Sequence, residues 1–422
     1  MKPGSHFLNL IWALSEKVIT ILLTLVTTAA IARYFGVEVF GAYQFAMSVL
    51  FVATSLTWLC PAEALFSKVR PNGTIDNSVI VTSIIYRFIV SLIVWFGVFI
   101  YAWFSVESDV LLAFILILTI TLVYSEPLGI FRFILECQGY YHLTARIRLF
   151  SLTFKVVLVL LFIYCDFSPQ VVIGPVIFES MLLSLCCIYF ALRFDKSINI
   201  TLSEFDKKIA LDFIFDGLKL WFGLVCMNIF LKLDRLLLQN SSSADIFGYY
   251  AASFSFMEQI LSLSAMIFAV LGPILIYRSS TELLKENTLK LAFIMFLVGL
   301  LSALISYYLS SYLISLIYGE DYAESVEIFR AFAFIIPFVF LDTALNAYII
   351  KNKSSLYFTF KWLSALVTSY LVITFNLSEY GWVAAGYGYC AGFIMAVVIS
   401  LVYLLRRSKY VAVAKNQSKK QS

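Results

Sequence analysis

Charged residues are scarce in this chain of 422 residues: they make up 13% of it, whereas 62% of the residues are hydrophobic. The mean hydropathy is +0.92. A soluble domain averages about 25% charged residues. No globular core could hide such an apolar surplus from water, so lipid must be the solvent for much of the surface. The sequence therefore predicts a membrane protein and argues against a soluble enzyme.

Residues that bind metals or drive catalysis are also rare. The only two histidines, His6 and His142, argue against a zinc or iron site. The seven cysteines include no CxxC pair and are interpreted as buried, inert thiols. Walker A, HExxH and GxSxG motifs are absent, which argues against an ATP-driven pump and a catalytic centre. We expect no cofactor and no metal, and the net charge of +4 is too mild for nucleic-acid binding.

Apolar runs of about 20 residues, the length that a spanning helix needs, recur along the whole chain. They fall at 8–31, 40–59, 79–104, 110–131, 149–165, 171–192, 211–231, 247–276, 291–313, 331–350, 357–375 and 382–405. They predict an all-α integral membrane protein with about twelve transmembrane helices in two pseudo-symmetric six-helix bundles around a central cavity.

The longest polar connection lies in the middle of the chain and separates six runs from six. We predict an N-terminal lobe at 1–195, a cytoplasmic linker at 196–210, a C-terminal lobe at 211–405 and a basic cytoplasmic tail at 406–422. An internal match supports the division, because an FGxY motif at Phe40 recurs 207 residues later at Phe247. Both copies open a span on the same predicted side, as in a parallel repeat.

Basic and acidic residues alternate between the two sets of loops. The basic set comprises Lys68, Arg70, Arg146, Arg148, Arg193, Lys196, Lys207, Lys208, Arg278, Lys285, Lys351, Lys353 and the tail. The acidic set comprises Glu107, Asp109, Asp166, Glu320, Asp321, Glu324 and Glu379. Because cytoplasmic loops carry an excess of Lys and Arg, both termini are predicted to face the cytoplasm.

Polar residues form a stripe along the first span. Lys17, Thr20 and Thr24 share one helical face, and Glu16 precedes them. The stripe could line a water-filled cavity and bind substrate. Alternatively, the threonines bond their own backbone and Lys17 extends to the membrane surface. The depth of Lys17, about ten residues into the apolar run, favours the cavity.

The seventh span ends in Asn228, Lys232 and Arg235 on one face, beside Asp234. Arginine binds phosphate in a bidentate manner and lysine binds it as a point charge, so the two cations could hold a pyrophosphate. The alternative is an ordinary interfacial charge cluster. The position of these cations on the side that otherwise lacks positive charge favours a functional site.

Carboxylates also occur within later spans, at Glu258 in the eighth and at Asp342, followed by Asn346, in the tenth. An intramembrane carboxylate is expensive and calls for an explanation. It could relay protons or bind a coupling cation, or it could pair with a lysine from another helix. Glu16, Asp234, Glu258, Asp342 and Asn346 are therefore candidates for coupling or counter-charge roles.

Several short motifs, in order along nearly the whole chain, resemble Wzx-type polysaccharide flippases. They are Trp12 to Lys17, Ile31-Ala32-Arg33-Tyr34-Phe35-Gly36, Phe40-Gly41-Ala42-Tyr43, Lys232-Leu233-Asp234-Arg235, Gly248-Tyr249-Tyr250-Ala251-Ala252, Tyr318-Gly319-Glu320-Asp321-Tyr322 and Tyr380-Gly381-Trp382-Val383-Ala384-Ala385. The chain departs from the family at Lys232, where arginine is common, which changes the expected phosphate geometry.

This resemblance implies a member of the multidrug/oligosaccharidyl-lipid/polysaccharide exporter superfamily in a bacterial inner membrane. It implies two six-helix bundles that move undecaprenyl-pyrophosphate-linked oligosaccharide from the cytoplasmic to the periplasmic leaflet. Membrane lipids, a polysaccharide polymerase and chain-length proteins would be the partners. A cation-coupled multidrug exporter and a membrane polymerase or ligase are the alternatives, with a purely structural membrane protein a distant third. A multidrug exporter needs an acidic cavity, and a membrane polymerase or ligase needs a long extracytoplasmic loop.

Overall fold

The computed structural model describes residues 3–59, 69–70, 74–277, 279–280 and 283–421. Within these ranges it describes side chains from residue 15 to residue 406, apart from those at 216 and 219. Lys68 and Arg278 of the predicted cytoplasmic loops lie outside the described residues, as do the side chains of the predicted tail after Arg406. Throughout the described part the regular structure is helical, and no strand occurs there.

Two compact units divide the chain, Met1–Trp221 and Phe222–Ser422, here called the N-unit and the C-unit. The N-unit contains α1 (Pro3–Thr57), α2 (Asn77–Ser105), α3 (Asp109–Thr119), α4 (Thr121–Cys137), α5 (Tyr141–Tyr164), α6 (Pro169–Val172) and α7 (Pro175–Phe194). Helix α8 (Lys207–Phe230) begins in the N-unit and ends in the C-unit.

The C-unit continues with α9 (Leu233–Leu238), α10 (Ala244–Gly272), α11 (Leu284–Tyr318), α12 (Glu324–Phe332), α13 (Ile336–Lys351), α14 (Ser355–Tyr380) and α15 (Trp382–Gln421). Short 3-10 turns occur at Leu202–Glu204, Glu320–Tyr322 and Ala333–Ile335, and a π-helical turn at Pro273–Tyr277 follows α10.

Helices of membrane-spanning length account for most of the predicted spans. The described residues contain ten helical segments long and apolar enough to cross a membrane. Gly36 divides the first of them, because its backbone angles (φ 72°, ψ 177°) interrupt α1 and are accessible almost only to glycine. Helix α8 adds a shorter apolar stretch at Leu220–Phe230. The predicted all-α, multi-span membrane fold is confirmed.

Aliphatic and aromatic side chains form the core of the N-unit, where Ile80 of α2, Ile134 of α4, Cys187 of α7 and Phe213 of α8 are buried together. On the outside, side chains as apolar as Phe104 stay 82% exposed. Such exposure is unfavourable in water and is expected for a surface that faces lipid.

Aromatic rings hold the C-unit together around the end of α8. The Phe230 ring stacks on Tyr389 of α15 at 5.7 Å, and Phe254 of α10 contacts Tyr389 edge-on at 5.3 Å. Gly392 makes room for this packing, because a Cβ there would lie 2.2 Å from the Phe230 ring and 3.0 Å from the carbonyl oxygen of Ala365. Close approach at small residues is typical of membrane helices. The packing holds α8 and α10 beside α15, and α9 lies between α8 and α10 in the chain.

Candidate functional site

Charged side chains lie between α8 and α10 and pack against α10. The backbone turns at Lys232, and the short helix α9 then carries Asp234 and Arg235. On α10, Tyr250 and Glu258 are eight residues apart, about two turns, and so share one face. We call these five side chains the Glu258 cluster.

One carboxylate oxygen of Glu258 joins the two cations. Lys232 Nζ donates to Glu258 Oε1 at 2.6 Å, and Arg235 Nη2 donates to the same oxygen at 2.5 Å. Arg235 Nε lies 3.6 Å from Asp234 Oδ1, while Asp234 Oδ2 accepts a 2.9 Å hydrogen bond from Tyr250 Oη. Two cations thus face two carboxylates, and the cluster has no net formal charge.

Exposure differs sharply among the charged members of this cluster. The side chains of Asp234 and Arg235 are 0% and 1% exposed, that of Lys232 is 11% exposed and that of Glu258 is 33% exposed. A buried ion is tolerated only when it is paired and hydrogen-bonded, as Arg235 is here. Lys232 and Glu258 therefore form the accessible edge of the cluster, and Arg235 lies behind them.

The predicted single helical face is wrong, because α8 ends at Phe230 and Arg235 lies on α9. Lys232 and Arg235 nevertheless meet at Glu258, which already bonds both of them. A pyrophosphate could bind these cations only if Glu258 released them. One turn before Lys232, Asn228 is 3% exposed and its Nδ2 donates to no described atom. A buried amide donor without an acceptor is unfavourable, and a ligand oxygen would satisfy it.

A second buried group of charges lies where α13, α14 and α15 meet. Lys361 Nζ lies 2.8 Å from Asp342 Oδ2 and 3.2 Å from Asn346 Oδ1. Ser400 Oγ donates to Asp342 Oδ1 at 3.4 Å. The lysine nitrogen also lies 4.5 Å from the Trp362 ring centroid, a cation–π distance. We call Asp342, Asn346, Lys361 and Ser400 the Lys361 cluster.

Sequence reasoning identified Asp342 and Asn346 but missed Lys361. The side chains of Lys361 and Asp342 are 0% and 5% exposed, so both are enclosed by protein. The signal was available, because Lys361 is a charged residue inside an apolar run and the same rule that singled out Asp342 applies to it. Here the carboxylate does pair with a lysine from another helix, one of the two alternatives considered.

On the N-unit, the candidate residues of α1 are more open. Lys17 is exposed and forms no ion pair with a described side chain, while Thr20 and Thr24 are half-buried. The Thr20 hydroxyl is buried and bonds no described atom, not even a carbonyl of its own helix. Glu16 Oε1 lies 3.8 Å from Arg148 Nη1 of α5. Among the predicted cations with described side chains, Lys17 is thus more accessible than Lys232 or Arg235.

One further intramembrane pair in the N-unit escaped the sequence analysis. Lys155 Nζ of α5 donates to Glu179 Oε2 of α7 at 2.9 Å, with side chains 14% and 18% exposed. The pair neutralises both charges and joins two helices. Among the described residues, no group of three His, Cys, Asp or Glu could hold a metal ion.

The sequence profile of a family described as "Polysaccharide biosynthesis protein" matches residues 8–278, more than half of the chain. The chain belongs to this family. The match begins within α1, includes the Glu258 cluster and ends before the Lys361 cluster. No curated protein sequence matches the chain.

Solved structures share the fold of this polysaccharide biosynthesis family member at low identity. The lipid II flippase MurJ in an inward closed conformation has a TM-score of 0.72 and 15% identity, over 93% of this chain and 87% of that one. An inward-facing multidrug resistance MATE transporter of the MOP superfamily has a TM-score of 0.69 and 16% identity, over 94% and 96%. A eukaryotic MATE transporter has a TM-score of 0.65 and 13% identity, over 94% of each chain. These similarities show that the chain shares the fold of these flippase and MATE structures.

Proposed function

We propose that this polysaccharide biosynthesis family member is a flippase for an undecaprenyl-pyrophosphate-linked oligosaccharide. It carries the lipid from the cytoplasmic to the periplasmic leaflet of a bacterial inner membrane by alternating access, and it supplies a polysaccharide polymerase and its chain-length partners. One observation carries the proposal. In a chain of this family, the intramembrane cations Lys232 and Arg235 are both bonded to Glu258, a carboxylate that is itself accessible.

The Glu258 cluster suggests how a diphosphate could be bound and then released. When Glu258 accepts a proton on Oε1, it loses the negative charge that holds Lys232 and Arg235. Lys232, at the accessible edge, can then donate to a phosphate oxygen, and Asn228 Nδ2 can offer a second hydrogen bond. Loss of the proton restores the ion pairs and displaces the anion. Protonation of Glu258 thus frees the cations, and the head group then binds them.

Lys17 is the proposed head-group contact of the N-unit. It is exposed, so binding an anion breaks no existing ion pair with a described side chain. A hydrogen bond between charged groups contributes about 1.5–3 kcal/mol, which corresponds to about tenfold or more in affinity. Thr20, one turn further along α1, adds a hydroxyl with no described partner.

The comparison with solved structures supports a flippase or a multidrug exporter, because both occur among the similar folds. A cationic drug would need an available carboxylate. In the Glu258 and Lys361 clusters, Glu258 and Asp342 are each bonded to a cation of the protein, and Asp234 lies beside Arg235. These clusters therefore favour an anionic substrate.

The test is Lys17→Ala in cells that lack the native gene, with surface polysaccharide as the readout. We expect export to fall by about tenfold, with lipid-linked oligosaccharide accumulating on the cytoplasmic leaflet, and we expect Lys17→Arg to retain most of it. Lys290→Ala is the matched control, since Lys290 is an exposed lysine that pairs with Glu286 on α11. Normal export by Lys17→Ala at normal protein levels would remove Lys17 from the mechanism. A gene deletion that leaves surface polysaccharide intact would exclude the function itself.

A further inference from the structure

A cavity of about 480 Å³ lies at one end of the C-unit, and its lining includes no member of the two charged clusters. It opens where α10, α12 and α15 begin. Its walls include Tyr249 of α10, Trp382 of α15, and Glu324 and Glu327 of α12. The volume is in the range of small-molecule sites, which are typically lined by apolar and aromatic groups with a few polar ones. The charge distribution of the loops predicts that this end is extracytoplasmic.

Two aromatic side chains from different helices form the apolar part of this cavity. Trp382 is held edge-on against the Phe332 ring, with centroids 6.0 Å apart and planes at 87°. Tyr249 of α10 is half-buried, and Ile328 of α12 is buried. An aromatic face of fixed orientation suits the CH face of a pyranose ring, and tryptophan is also the best ring for a cation.

Two carboxylates supply the polar part. Glu324 and Glu327 lie three residues apart on α12, are exposed, and form no ion pair with a described side chain. The charges of Glu324, Asp245 and Asp321 also act on the Tyr249 hydroxyl, and none of the lining residues is basic. A neutral ligand would leave this negative charge without a counterpart, whereas a ligand with one cationic group would complement it.

We propose that this cavity is a subsite for a sugar residue carrying a protonated amine, within the glycan of the transported lipid. The proposal rests on the proposed flippase function and specifies its substrate class. The pyranose ring stacks on Trp382, its hydroxyl groups donate to Glu324 or Glu327, and its ammonium group lies between the two carboxylates. The subsite selects for amine-bearing glycans at the end where the transported unit leaves.

The experiment uses the full chain in lipid nanodiscs and saturation-transfer NMR with three soluble probes. Glucosamine carries the sugar ring and the amine, N-acetylglucosamine carries the ring without the charge, and tetramethylammonium carries the charge without the ring. We expect glucosamine to bind up to about fivefold more tightly than N-acetylglucosamine, the contribution of an exposed ion pair. Tetramethylammonium should bind more weakly than glucosamine.

Substitutions of the cavity lining test whether glucosamine binds there. The double variant Glu324→Gln, Glu327→Gln should bind glucosamine only as tightly as N-acetylglucosamine, and its affinity for N-acetylglucosamine should be unchanged. Trp382→Leu should bind both sugars more weakly. Glu379→Gln is the matched control, an exposed carboxylate predicted on the same side but outside the cavity lining. Both glutamates are exposed, so the melting temperature of the double variant should match that of the parent.

Three results would overturn the proposal. Glucosamine binding that is absent or survives the glutamate and tryptophan variants would exclude the site. Equal binding of N-acetylglucosamine would exclude the charge preference. Tetramethylammonium binding as tight as that of glucosamine would indicate a site for cationic compounds, as a multidrug exporter requires. Because soluble sugars replace the lipid, failure here leaves the result of the Lys17 export test unaffected.

Discussion

The Glu258 cluster and the Lys361 cluster both place opposite charges side by side within the C-unit, but they differ in access. In the Lys361 cluster the lysine and the aspartate are 0% and 5% exposed, whereas a third of the Glu258 side chain is exposed. A fully enclosed pair cannot exchange its partner without opening the fold. An accessible carboxylate can gain or lose a proton. From this difference we infer a structural role for the Lys361 cluster and, on the proposed mechanism, an exchange role for the Glu258 cluster.

Loss of the lysine from the enclosed cluster should have the largest effect. Lys361→Met leaves Asp342 buried without a counter-charge, and removing one member of a buried pair costs about 3–5 kcal/mol. We expect a large drop in melting temperature in detergent and low yield from membranes. Lys361→Met combined with Asp342→Leu should recover most of the loss, because an apolar pair needs no compensation.

The exposed lysine Lys290, paired with Glu286 at 2.7 Å, provides the control for Lys361. Lys290→Met should leave the melting temperature unchanged, since exposed pairs contribute little. If Lys361→Met melts at the parent temperature, the enclosed cluster is not structural and the contrast between the two clusters is lost.

Neutralising the accessible carboxylate should strongly reduce transport, even when export is compared at equal protein levels. Glu258→Gln removes the charge that displaces the head group from Lys232, so we expect export to fall by about tenfold or more, equivalent to about 1.4 kcal/mol. Glu258→Asp keeps the charge and should retain part of the activity. Glu286→Gln, a carboxylate in an exposed pair, serves as the control. Surface polysaccharide at normal protein levels is the measurement, and full export by Glu258→Gln would end the exchange mechanism.

The smallest effect concerns the interior side of the same cluster. Tyr250→Phe removes the 2.9 Å hydrogen bond to Asp234 Oδ2 and leaves a buried carboxylate oxygen without that donor. We expect a loss of about 1 kcal/mol in stability with transport still detectable. Tyr249→Phe, at the adjacent and half-buried position, should melt at the parent temperature. Equal melting of the two variants would show that Tyr250 does not support Asp234.

Sequence reasoning reached further for the fold than for the candidate site. Apolar runs predicted the spans because the bilayer imposes a length and a polarity that are readable locally. The predicted helical face of Asn228, Lys232 and Arg235 did not follow in this way, because the chain turns at Lys232 before α9. Whether these cations bind substrate stays a prediction, as do the lobe boundaries and the cytoplasmic termini.

The pairing of charges could not be read from spacing. Glu258 lies 23 residues from Arg235, and Lys361 lies 19 residues from Asp342. Which lysine meets which carboxylate depends on how whole helices pack, for example on the room that Gly392 leaves for Phe230. This packing cannot be predicted from a local sequence pattern.

The sequence by itself determined that this chain spans a membrane as a bundle of helices, because its shortage of charge leaves lipid as the only compatible solvent. It also determined some of the ionisable residues inside that bundle, Glu258 and Asp342 among them, although Lys155, Glu179 and Lys361 were missed. Only the tertiary structure decided which charges neutralise one another and which carboxylate remains accessible, because electrostatic pairing depends on distances of a few ångströms between residues that are far apart in the chain.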